Sequence, residues 1–173
     1  MDSRARSAAT LGVLVMLCLV GILVGIRALI SGLPTGPLVE TTSDKCENRN
    51  IAQGKKIRAD EITVSVYNAG RENGAASRVM KELQTRGFAD GDSGNAPKGT
   101  EVIRAQVWAD SPRNSAARLV ARQLGHDIRV FAGKPQLGPG IVVVVGDKLG
   151  KMPKAPKETR AAVRSNICSP PVS

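Results

Sequence analysis

The chain has 173 residues, a formal net charge of +10 and only four aromatic side chains, one Trp, one Tyr and two Phe. Once an apolar N-terminal run and polar flanks are set aside, about 90 residues remain, the size of one small domain and too few for most catalytic folds with a separate substrate domain. So few rings offer little on which sugars or unpaired bases could stack.

Residues 1–27 carry a net +2, residues 28–60 +1, residues 61–150 +3 and residues 151–173 +4, so the charge is densest at the C-terminal end. A basic balance attracts any polyanion, and location has to choose among them.

Residues 1–6 are expected to be a short cytoplasmic N-terminus and residues 7–30 a single-pass membrane anchor. The stretch SAATLGVLVMLCLVGILVGI contains no charge, and about twenty such residues span a bilayer core. Arg4 and Arg6 precede it and Arg27 follows, a weak vote for a cytoplasmic N-terminus. The competitor is a cleaved signal peptide, whose apolar region is normally shorter; no small-x-small site follows Ile30. Either way the rest of the chain lies outside the cytoplasm, which demotes nucleic acid as a partner. Met16 and Leu17 do not form a lipobox before Cys18, so that thiol is expected in the membrane.

Residues 31–60 have a linker's composition of Gly, Pro, Ser and Thr. The folded domain is expected over 61–150. Ile62, Val64 and Val66 alternate with Thr63, Ser65 and Tyr67 as a half-buried strand. Ala76, Val79, Met80 and Leu83 form the apolar stripe of a helix, stopped by Gly87. Phe88 and Ala89 start a short strand, and DGDSGNAPKG is expected to be a turn-rich loop. EVIRAQVWAD is the next strand. Ser111-Pro112 is expected to cap a second helix, which carries Ala117, Val120, Ala121 and Leu124 and ends at Gly125. Residues 126–131 form a strand candidate, and IVVVV from Ile141 forms a strand buried on both faces. Residues 151–173 are expected to be a flexible, basic, Pro- and Lys-rich tail.

Cys46 and Cys168 flank the domain. In an oxidising compartment they most simply pair, closing a loop of about 120 residues worth roughly 4–5 kcal/mol in the chain-entropy model; free thiols in disordered flanks are the alternative. Metal is not expected, because His126 is the only histidine and no close ligand pair exists.

VYNAGRENGAASRVMKELQTRG and VWADSPRNSAARLVARQLG share one plan of strand, loop, Ala-rich helix and terminal Gly. Two such halves imply an α/β (α+β) fold, a split βαββαβ two-layer sandwich with an extra C-terminal strand. If the two helix-entering strands lie side by side and parallel, Tyr67 and Trp108 come together. Alternation then puts Thr63, Ser65, Tyr67, Arg104, Gln106 and Trp108 on one polar face. Tyr67, Asn68, Arg104, Gln106 and Trp108 are the candidate contact residues.

Is the loop NAGRENGAAS a phosphate cradle or ordinary punctuation? A helix N-terminus does favour anions. Yet Gly70 and Gly74 make neither G-x-G-x-x-G nor G-K-[ST], and punctuation is the simpler reading. Catalytic signals are weak. His126 directly follows a helix-ending Gly, Asp90 and Asp92 sit in a turn-rich stretch, and Asp147 at a strand end is more simply a turn residue. No catalytic residue and no cofactor is assigned.

The run VYNAGRENGAASRVMKELQTRGF, the later AARLVARQLG and the ending IVVVVGD resemble, in order over roughly residues 61–148, the LytR C-terminal domain family. Many of its members place this module after a LytR-CpsA-Psr catalytic domain that attaches anionic polymers to peptidoglycan. The segment before residue 61 is too short to hold that enzyme. The resemblance therefore implies a stand-alone, membrane-anchored protein of envelope integrity, and the two flanking cysteines are similar to that group. It supplies no catalytic residues. The expected function is non-enzymatic contact with cell-wall polymer. The alternative is a regulatory module that binds envelope-assembly proteins. Oligomeric state is left open.

Overall fold

The computed structural model describes residues 15–22 and 46–171. The chain divides into two units, residues 1–40 and 41–173. In the first, residues 15–22 are helical. Most of the anchor expected over 7–30 lies outside the described residues, among which no helix is long and apolar enough to cross a membrane.

The second unit is a mixed α/β fold. In chain order it comprises β1 (Glu47–Ile51), β2 (Lys56–Arg58), a 3-10 turn (Ala59–Glu61), β3 (Thr63–Asn68), α1 (Ala75–Thr85), β4 (Ala89–Asn95), β5 (Ala105–Trp108), α2 (Ser115–Leu124), β6 (Val130–Phe131), β7 (Ile141–Val145), β8 (Glu158–Arg160) and β9 (Ser165–Ser169). Five strands form the main sheet in the order β4-β3-β7-β5-β6. β4, β3 and β7 run parallel, β5 is antiparallel to β7, and β6 is parallel to β5.

Two corrections follow. The β-α-β units are not split, because β3 lies directly beside β4, and β5 beside β6. Nor are β3 and β5 neighbours, because β7 separates them and β5 runs the other way. The reason is composition. Five consecutive apolar residues need cover on both faces, and only the sheet centre supplies it; all five are buried.

Both helices pack on one face. Val79, Met80 and Leu83 of α1 and Leu119, Val120 and Leu124 of α2 join Val64, Val66, Val107, Ile141, Val143 and Val145 in a single core. α1 ends in a Schellman motif. Gly87 takes φ +98°, its N–H donates to Gln84 O at 2.8 Å, and Phe88 N donates to Leu83 O at 3.1 Å. Both Leu83 and Phe88 are buried, the apolar contact that accompanies this motif. α2 starts later than the Ser-Pro pair suggested. Asn114 caps it by accepting from Ala116 N at 3.0 Å and Ala117 N at 3.2 Å, whereas Ser111 Oγ accepts from Arg113 N at 3.2 Å in the preceding turn.

Two further expectations differ from the structure. The segment ADGDSGN is not a loop but β4, an edge strand with a register shift opposite Val64 and Val66. Its glycines permit this: a Cβ at Gly91 would sit 2.4 Å from Ser65 Oγ, and Gly94 lies against the Tyr67 ring. Residues 151–171 of the expected tail are also not free. β8 pairs with β2 and β9 with β1, which orders part of the expected linker as well. Ala161 and Ile167 are each 2% exposed in the main core. Cys46 and Cys168 are disulfide-bonded with Cα atoms 5.4 Å apart, fastening the chain beside β1 to β9.

Candidate functional site

Tyr67, Gln106 and Trp108 do reach the sheet face opposite the helices, but across β7. Tyr67 pairs with Val144, and Trp108 with Val142. These four form a second, small core that is closed by Leu137, Phe131, Val102 and Ala96. Tyr67 is 9% and Trp108 4% exposed. The face is therefore not an open platform. The Tyr67 hydroxyl donates to Leu137 O, and Ser65 Oγ donates to Pro139 O at 2.7 Å, so alternate carbonyls of the loop after β6 are stapled over the sheet. Gly138 between them makes room, because a Cβ there would meet the Tyr67 hydroxyl at 2.6 Å and Ser65 Oγ at 2.8 Å. Trp108 Nε1 donates to Gln106 Oε1 at 3.0 Å, and Lys134 Nζ lies 5.8 Å from the ring centroid, at cation–π range. Arg104 leaves this face. Its guanidinium pairs with Asp127 beyond α2 and reaches Leu149 O at 3.5 Å.

Asn68 ends β3 and explains the loop 69–74 that follows it. Its Oδ1 accepts from Gly70 N at 2.9 Å, and its Nδ2 donates to Glu72 O at 2.8 Å. This turn aims the N–H groups of Arg71 and Glu72 at one point. That point is filled by the chain's own anion: Asp147 Oδ1, delivered by the end of β7, accepts from Arg71 N at 2.7 Å and Glu72 N at 3.2 Å. Gly70 is required for the approach, since a Cβ there would lie 2.2 Å from Asp147 Oδ1. The loop is thus an anion cradle closed from within. Beside it, the Arg78 guanidinium, 2.8 Å from Glu72, holds the Glu72 carboxyl below its ordinary 4.5 through a hydrogen bond and charge, and Arg78 is raised in return. Asp147 as a structural anchor is what sequence reasoning missed, though a Gly-Asp ending on a buried strand was its signal.

A different surface carries hydrogen-bonding capacity. A recess of about 340 Å³ opens between β1, β9, the end of β5 and the start of β7, lined by Asn48, Asp110, Asn114, Asn166, Ile141 and the disulfide. Asn114 is committed to Asp110 at 2.8 Å, Asn166 O at 3.0 Å and the helix cap. Asn48, Asp110 and Asn166 are exposed. Of the described residues, no lysine or arginine lines the recess. His126 is exposed just past α2, and among the described residues no group of three potential metal ligands exists.

The LytR cell envelope-related transcriptional attenuator family matches residues 61–148. Among solved structures, the soluble domain of a conserved hypothetical secreted protein from Mycobacterium marinum is similar, at 19% identity and a TM-score of 0.45, over 69% of this chain and 74% of that one. No curated protein matches the chain. The Asn68 turn, the carboxylate that closes it and the strand that delivers that carboxylate all fall inside the matched span, about half of the sequence, and the chain belongs to this family of cell envelope-related proteins.

Proposed function

We propose that the protein is a non-enzymatic, single-pass envelope protein whose domain lies outside the cytoplasm and contacts wall polymer. The observation that carries the contact reading is the recess beside the disulfide. Amide and carboxylate groups with an apolar floor suit the hydroxyl and acetamido groups of a glycan, and a chain of net +10 that keeps lysine and arginine out of one recess has not built it for an anion. The non-enzymatic reading is supported by Asp147, whose carboxylate is spent on two backbone N–H groups. The expected anchor and a disulfide, stable in oxidising compartments, support the location.

The test is sedimentation of the oxidised full-length protein with purified insoluble cell wall at low and high salt. Binding that persists at high salt and falls at least about tenfold in Asn48→Ala/Asn166→Ala, roughly the 1.4 kcal/mol of one or two lost hydrogen bonds, is the expected result. Absence of binding at every salt would shift the reading to the regulatory partner module, to be pursued by crosslinking in membranes.

A further inference from the structure

Between Gly150 and β8 the chain reads KMPKAPK, two consecutive x-Pro-Lys triplets. Pro153 and Pro156 fix φ near −65° and push Met152 and Ala155 to extended backbone. Such a chain favours polyproline II, in which every third residue returns to the same side, about 9 Å further on. Residues 151–157 belong to no helix or strand; Lys151, Lys154, Pro156 and Lys157 are exposed, while Met152, Pro153 and Ala155 are half-buried, so all three lysines face out at a spacing of three.

The opposite edge is pinned, again at a spacing of three. Arg86 Nη1 donates to Pro153 O at 2.6 Å, and Gln123 Nε2 donates to Pro156 O at 2.6 Å. Both donors are interior. The Arg86 side chain is 14% exposed and also holds Glu82, and Gln123 is 1% exposed. Ala59 N donates to Lys157 O at 2.8 Å at the far end. The strap is therefore held by the domain at three carbonyls, those of Pro153, Pro156 and Lys157, with an exposed lysine at every third position. Among the described residues none of the three makes an ion pair. Nearby carboxylates are engaged elsewhere, Glu82 by Arg86, Glu158 by Lys56, and Asp147 by the loop.

We infer that Lys151, Lys154 and Lys157 form a preformed docking row for a linear polyanion with charges along one flexible backbone, a polyol- or sugar-phosphate chain of the envelope. A single row of three charges matches a chain better than a flat lipid surface, and a strap pinned at three carbonyls loses little entropy on binding. This ligand is distinct from the neutral glycan proposed for the recess.

The test uses the oxidised full-length protein in detergent with inorganic polyphosphate as probe, and monomeric phosphate and phosphatidylglycerol vesicles as separate arms. Polyphosphate is expected to bind with a slope of log K against log salt of about −2, near 0.7 per lysine engaged. Lys151→Gln/Lys154→Gln/Lys157→Gln should flatten that slope and weaken binding at low salt roughly tenfold or more. The charge-matched variant Lys98→Gln/Arg113→Gln/Arg118→Gln should keep the slope. Equal losses in both variants would reduce the effect to net charge and overturn the row. Failure of polyphosphate to bind, or tighter binding of vesicles at equal phosphate, would overturn it as well. High-salt wall binding unchanged in the strap variant separates this row from the recess, so each reading can fail alone.

Discussion

Asp147 shows how one residue can decide what a loop is. Two convergent backbone N–H groups beneath a helix start form the kind of cradle that holds phosphate. Here the strand next door supplies the anion. Asp147→Ala leaves the N–H groups of Arg71 and Glu72 without that partner and should cost about 1–3 kcal/mol by chemical denaturation. Gly70→Ala should cost at least as much, because its Cβ would also lie 2.9 Å from Asp147 N, so that removing the carboxylate in the double variant relieves only part of the clash. The neighbouring Glu72–Arg78 pair has a pH signature. The folded-state pKa of Glu72 is depressed, so its stabilisation is present above the ordinary value and is lost as pH falls through the folded value. Glu72→Gln should remove a small, salt-sensitive part of the acid destabilisation below about pH 4.5.

At the scale of elements, capping and covering matter most. Gly87→Ala forces a Cβ into the φ +98° position of the Schellman motif and should cost about 1–2 kcal/mol, read as a lower melting temperature. Trp108 is a core residue of the second layer. Trp108→Ala should destabilise by about 3–5 kcal/mol, and the native indole should resist iodide quenching until the loop over it opens. Loss of wall binding in such a variant would report unfolding, which is why the recess variants lie on exposed asparagines.

At the scale of the molecule, the disulfide joins segments 122 positions apart. The β1–β9 pair it fastens contributes Ile167 to the main core and bears on α2 where the Asn114 cap donates to Asn166 O. Reduction should lower stability by roughly 4–5 kcal/mol in the chain-entropy account, measured by urea unfolding with and without reductant. In the oxidised protein neither Cys46 nor Cys168 should label with a thiol reagent.

What the sequence determined alone were the local periodicities and their punctuation. The stripes of α1 and α2, the stop at Gly87 and the doubly buried valines of β7 all depend on neighbours within a few residues. Only the tertiary structure decided pairing. β7 entered between β3 and β5 because the centre of the sheet is the one place that covers both of its faces. Tyr67 and Trp108 were thereby buried under a loop held by two hydroxyls. The Lys- and Pro-rich end read as a free tail because its composition lacks an apolar run. Yet Ala161 and Ile167, two small contributions far apart in sequence from Ile57 and α2, found a core already built by others. Long-range burial of this kind has no local period, and that is why it could not be read until the chain had folded.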